Sequence, residues 1–69
     1  MKTNVLYISP MQARALALEA ANVTSARFDS QKLLESGSLY ELEFTTEEMH
    51  YTCYIDAVSG EALGLDFFP

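Results

Sequence analysis

SLYELEFTTEEMHYTCYIDAVSGEALGLDFF, residues 38–68, decides the fold. Apolar and polar residues alternate through it in three runs, the period of a half-buried strand. Tyr40, Leu42 and Phe44 point one way, with Glu41 and Glu43 on the other side. Tyr51, Cys53 and Ile55 make a second apolar set, and Leu63, Leu65 and Phe67 a third. A turn at Thr46 to Met49 pairs Phe44 with Tyr51, Leu42 with Cys53 and Tyr40 with Ile55. A loop of Val58, Ser59 and Gly60 then pairs Ile55 with Leu63, Cys53 with Leu65 and Tyr51 with Phe67. A slip of one residue in either hairpin would turn a whole apolar set into water. On the outer face this register sets Tyr54 beside Gly64, where the ring can cover bare backbone.

Upstream the period becomes helical. Ser9-Pro10-Met11-Gln12 reads as a helix start: Ser9 is the N-cap, Pro10 the first helical residue, and Gln12 closes a capping box. Strong helix formers continue to Ala21, and Ala13, Leu16, Ala17 and Ala20 define one small-residue face. Arg14 and Glu19 fall outside it. Asn22 suits the left-handed position after the helix, and Val23 the apolar residue that folds back. From Thr24 to Leu34, Ala26 and Phe28 alternate with Arg27 and Asp29 until Leu33-Leu34 breaks the period. This predicts a strand with a bulge, turning at Glu35-Ser36-Gly37-Ser38. Lys2 to Ile8 reads as a short edge strand or an extended lead-in. The expected fold is α+β in one domain over residues 1–69: an N-terminal helix on one face of an antiparallel meander of three to four strands.

Composition narrows the function. The chain has 69 residues, 49% hydrophobic, with four Tyr and four Phe. That suffices for one core and is too apolar for a disordered tail. Ten acidic against four basic residues leave a net charge of −6. The basic footprint of a nucleic-acid binder is missing, and an anionic membrane surface would repel such a chain. A single cysteine precludes an internal disulfide. The opening MKTNVLYISP has one lysine and no long apolar run, so it does not read as a signal peptide. The expectation is a cytoplasmic protein as given, or an extracytoplasmic one trimmed from a longer precursor.

No catalytic residue, cofactor or metal site is expected. Asp56, Ser59 and Gly60 look like a constellation but suit a turn better: the acid and hydroxyl accept turn N–H groups, and glycine takes the left-handed position. Ser59 has no histidine near it in sequence to act as base, and the loop has too few oxygen ligands for calcium. His50 stands alone, where zinc would need three or four ligands. Cys53 lies inside an apolar set and reads as a small buried hydrophobe. The surface residues Glu41, Glu43, His50, Tyr54, Asp66 and Phe68 form the candidate partner surface. The last strand is a candidate edge for pairing with a target peptide or a second copy.

The order of these elements resembles the PepSY domain family. The resemblance is carried by ARALALEAANV, with Ala13, Ala17, Ala20 and Val23, and by IDAVSGEAL, with Ile55, Asp56, Ala57, Ser59, Gly60, Glu61 and Leu63. It runs from about Ile8 to Leu65. It implies a helix packed on an antiparallel sheet and a noncatalytic module, of the kind found in propeptides of thermolysin-like metallopeptidases and in bacterial envelope and spore-germination proteins. Its implied partner is a protein, with a peptidase as the foremost class. The matched residues are fold determinants, so no functional site is carried over. A second expectation comes from the charge and from the lack of an export signal in this stretch: an acidic cytosolic inhibitor of mobile-element antidefence type that mimics nucleic acid through Glu41, Glu43, Glu47, Glu48 and Asp66.

Overall fold

A computed structural model describes residues 7–34 and 37–69. Helix α1 spans Pro10–Ala21, followed by strands β1 (Arg27–Leu34), β2 (Leu39–Thr45), β3 (His50–Asp56) and β4 (Ala62–Phe68). The strands form one antiparallel sheet in the order β1-β2-β3-β4, and α1 packs on one face against β3, β4 and β2.

Both helix ends are closed as their residues dictate. The Ser9 hydroxyl accepts from the Gln12 N–H at 3.1 Å, and the Gln12 side chain accepts from the Ser9 N–H at 2.8 Å. Asn22 adopts φ 60° and ψ 43°. Its N–H donates to the Glu19 carbonyl and that of Val23 to the Leu18 carbonyl, so the last orphan acceptors are satisfied by a left-handed reversal.

Ala13 and Ala17 are fully buried, while Ala20 is exposed. The expected face is therefore corrected at Ala20 alone: Leu16 packs against the core beside Ala13 and Ala17, and Ala21 takes the place of Ala20. Ala21 lies only about 40° round the helix from Ala17, whereas Ala20 lies about 60° away on the other side. Because the buried face is alanine, the helix sits close to the sheet, over Leu42, Phe44, Cys53 and Ile55, all of them fully buried. The half-buried Arg14 lies over the Phe28 ring at 5.0 Å and donates to Gln31 at 2.8 Å, tying the helix to β1.

The β2–β3 hairpin has the expected register throughout: Phe44 opposite Tyr51, Leu42 opposite Cys53, Tyr40 opposite Ile55. Its turn closes through Thr46 N–H to the Met49 carbonyl at 2.9 Å. The β1–β2 pair shifts register between Phe28 and Ser30, so Asp29 is the bulged residue. The β3–β4 hairpin departs from expectation at one point. Tyr51 faces Phe67 and Cys53 faces Leu65, but Ile55 faces Ala62, with Leu63 bulged out between. Asp56 N–H bonds to the Glu61 carbonyl, so the loop is Ala57 to Gly60, one residue longer than the three expected.

Leu63 and Phe67 were both expected inside; they are 56% and 59% exposed. The bulge turns Leu63 outward. Phe67 keeps its inner-face parity, 6.2 Å from the Tyr51 ring, but among the described residues nothing roofs it. One helix, ~10 Å across, cannot cover four strands whose axes span ~14 Å. The expected strand or lead-in from Lys2 falls outside the described residues except at Tyr7 and Ile8. Ile8 donates its N–H to the Ala57 carbonyl at 2.8 Å and accepts from the Tyr40 hydroxyl at 2.9 Å. Of the expected turn after β1, Glu35 and Ser36 also lie outside; Gly37 has φ +89°.

Candidate functional site

The outer face of the sheet carries three adjacent cross-strand rows. Register aligns Glu41 with Tyr54 and Gly64, Glu43 with Thr52 and Asp66, and Thr45 with His50 and Phe68. The six candidate surface residues thus occupy one face, because strand parity sends every second side chain there.

In the first row the Tyr54 hydroxyl donates to Glu41 Oε2 at 3.0 Å. That bond, with the carboxylate's charge behind it, raises the phenol above its ordinary range. The ring lies over Gly64, 3.5 Å from where a Cβ on that residue would stand, an ordinary contact distance. In the second row Glu43 accepts from the Ser30 hydroxyl at 2.8 Å, and Asp66 faces Thr52.

The third row holds a polar chain that sequence reasoning missed. The Thr45 hydroxyl donates to Asp29 Oδ2 at 2.6 Å and lies 3.0 Å from His50 Nδ1. A hydroxyl has one proton to donate, so with the Thr45 O–H directed at the Asp29 carboxylate the contact to His50 has Nδ1–H as donor. The threonine bond and the Arg27 guanidinium, 2.8 Å away, hold the Asp29 carboxyl below its ordinary range. Phe68 stacks on the imidazole at 5.2 Å. It does not meet Tyr54, which lies two rows away over Gly64. The sequence signalled a bulge in this strand only through the broken period at Leu33-Leu34, and the bulge falls instead at Asp29.

Asp56, Ser59 and Gly60 lie at the other end of β3. Asp56 Oδ1 accepts the N–H groups of Val58 and Ser59, each at 2.8 Å, and these bonds hold its carboxyl below the ordinary range. The Ser59 hydroxyl accepts from the Glu61 N–H at 3.1 Å, and Gly60 has φ +82°. His50 is about 20 Å of extended strand away, so it cannot reach Ser59. Cys53 is fully buried, and burial pushes its thiol above the ordinary range. Glu47 and Glu48 stand apart from Glu41 and Glu43. They rim an open groove of about 850 Å³ between Val23 and Ala26, at the helix exit, and Met49 and Tyr51. Among the described residues no group of three or more His, Cys, Asp or Glu is placed to hold a metal ion, and no helix is long and apolar enough to cross a membrane.

Neither a curated protein nor a solved structure matches the chain. One family model does: PepSY, described as the peptidase propeptide and YPEB domain, aligns with residues 7–66. That interval takes in α1, β1 to β3, the Asp56–Gly60 turn and β4 as far as Asp66, so the match covers the helix-on-meander framework except the last two residues of β4. The chain belongs to the PepSY family.

Proposed function

We propose that this chain is a noncatalytic protein-interaction module of the propeptide kind, which restrains or regulates a peptidase by docking the outer face of its sheet. The observation that carries the reading is the match over residues 7–66 to a family described as a peptidase propeptide domain. The face supports it physically. Tyr54 is braced by Glu41 and lies against Gly64, and Phe68 is braced on His50. Rigid aromatic groups of this kind bind with little entropy to lose. Glu41, Glu43 and Asp66 surround them with negative charge, which favours a basic patch on the partner.

Titration of the protein into bacterial thermolysin-like metallopeptidases tests this. Inhibition at micromolar concentration is expected, lost when Tyr54 and Phe68 are both replaced by serine. Unchanged peptidase activity at high micromolar concentration counts against the reading.

A further inference from the structure

The sheet has two edges, and they are not alike. An exposed edge strand offers unpaired N–H and C=O groups to any extended chain, and proteins blunt such edges with charges, prolines and bulges. Edge strand β1 carries Arg27, Asp29 and Lys32, with its bulge within the strand at Asp29. Edge strand β4, ALGLDFF, has one charge, Asp66, and no lysine or proline. Its bulge falls near its start at Leu63, so Gly64 to Phe68 stay in regular register with β3. Among the described residues no strand pairs with the far side of β4.

What the next strand would meet can be read row by row. On the inner face an aromatic ladder crosses the whole sheet: Phe28 to Phe44 at 5.0 Å, Phe44 to Tyr51 at 5.1 Å, Tyr51 to Phe67 at 6.2 Å. It begins under Arg14 and ends at the exposed Phe67 on the open edge. On the outer face the row Glu43, Thr52, Asp66 reaches the same edge with a carboxylate at its end.

We propose that β4 is a docking edge for an extended peptide strand that sets a large apolar side chain beside Phe67 and a lysine or arginine beside Asp66. Backbone pairing supplies affinity, and alternate side chains supply selectivity. The inner-face residue adds a fifth rung to the ladder and covers Phe67 and Leu65. The outer-face cation meets Asp66, with Glu43 further along the row. Charge argues against a second copy of this chain as occupant. Full-length antiparallel overlap of β4 with itself would set Asp66 against a glycine and bring together two chains of net charge −6. The proposal rests on reading the chain as an interaction module, but it uses the backbone edge and shares only Asp66 with the outer-face surface.

The test uses a short capped peptide in which valine and phenylalanine alternate with threonine, with one lysine at the centre of the threonine face. Its counterpart carries glutamate there. Amide chemical shifts and hydrogen exchange of the full chain are followed during titration. Shifts and new protection confined to Gly64–Phe68 and their β3 partners are expected, with the glutamate peptide about tenfold weaker. Asp66→Lys should keep the fold by circular dichroism and reverse that preference. Shifts centred on β1, equal affinity of the two peptides, or no binding at millimolar concentration would overturn the proposal. So would β4-edge amides already protected before peptide is added, or self-association that closes the edge. Peptide binding without peptidase inhibition would retire the outer-face reading alone; the converse would retire the edge alone.

Discussion

Gly60 lies directly against Leu16: a Cβ built on the glycine would stand 3.2 Å from the leucine Cδ1. The β3–β4 turn is therefore seated on the helix, and its geometry is fixed by contact as well as by its own hydrogen bonds.

Two penalties fall on one position. Gly60 has φ +82°, where a β-branched residue is strained, and its missing side chain leaves the room that Leu16 occupies. Gly60→Val should destabilise the fold by about 1–3 kcal/mol. An unchanged denaturation midpoint in urea would mean that the turn relaxes without cost.

Ala17 is fully buried where the helix meets the sheet. Ala17→Leu adds three carbons to a close contact and should cost about 1–3 kcal/mol by overpacking. The exposed Ala20 is its control: Ala20→Leu should change stability by less than about 0.5 kcal/mol. Equal effects at the two sites would contradict the placement of the helix face.

Asp56 carries a pH dependence whose sign follows from its bonds. The Val58 and Ser59 N–H groups lower its native value from the ordinary 3.8, so the native state favours the ionised form. Its contribution is complete above the unfolded value, declines as pH falls through it, and is gone below the lowered native value. Asp56→Asn should lower stability at neutral pH and flatten the acid limb between those two values. Parallel acid limbs in the two proteins would refute the linkage.

Tyr54 shifts the other way. Glu41 raises its ionisation above the ordinary 10.0, so its contribution is complete below that value and is lost as pH rises through the native one. Glu41→Gln removes the charge and should bring the Tyr54 transition down in an ultraviolet titration. Tyr54→Phe should remove that transition from the curve. A Tyr54 transition unmoved by Glu41→Gln would place the hydroxyl elsewhere.

Cys53 is fully buried with its thiol pushed upward, so it should resist a thiol reagent until the sheet opens. Reaction in native buffer should be slow and should accelerate with denaturant in step with unfolding. Fast labelling of the native protein would expose an error in the core.

Legibility in the sequence followed the range of each interaction. The caps at Ser9 and Asn22 depend on residues within five positions, and they could be read directly. The β2–β3 register was equally plain, since apolar parity and a short turn fix it together. The β3–β4 register came out right at Tyr51 and Cys53 and wrong at Ile55. An apolar Leu63 fits the alternation whether it points inward or bulges. Phe67 shows a different limit: parity names the side of the sheet a residue is on, while its exposure depends on what lies above. The Asp29–Thr45–His50 chain needed two strand pairings and a bulge at once, and no local pattern encodes that. On the candidate surface, parity grouped the six residues, but Phe68 and Tyr54 proved to be separate.

The narrowness of one helix above four strands has a dynamic consequence. Amides beneath Ala13 and Ala17 should exchange only through whole-molecule opening, whereas the outermost strand frays on its own at lower cost. A ligand gripping that strand would stiffen it without touching the core. Recognition would then register first as slowed local exchange, well before any rise in the melting temperature.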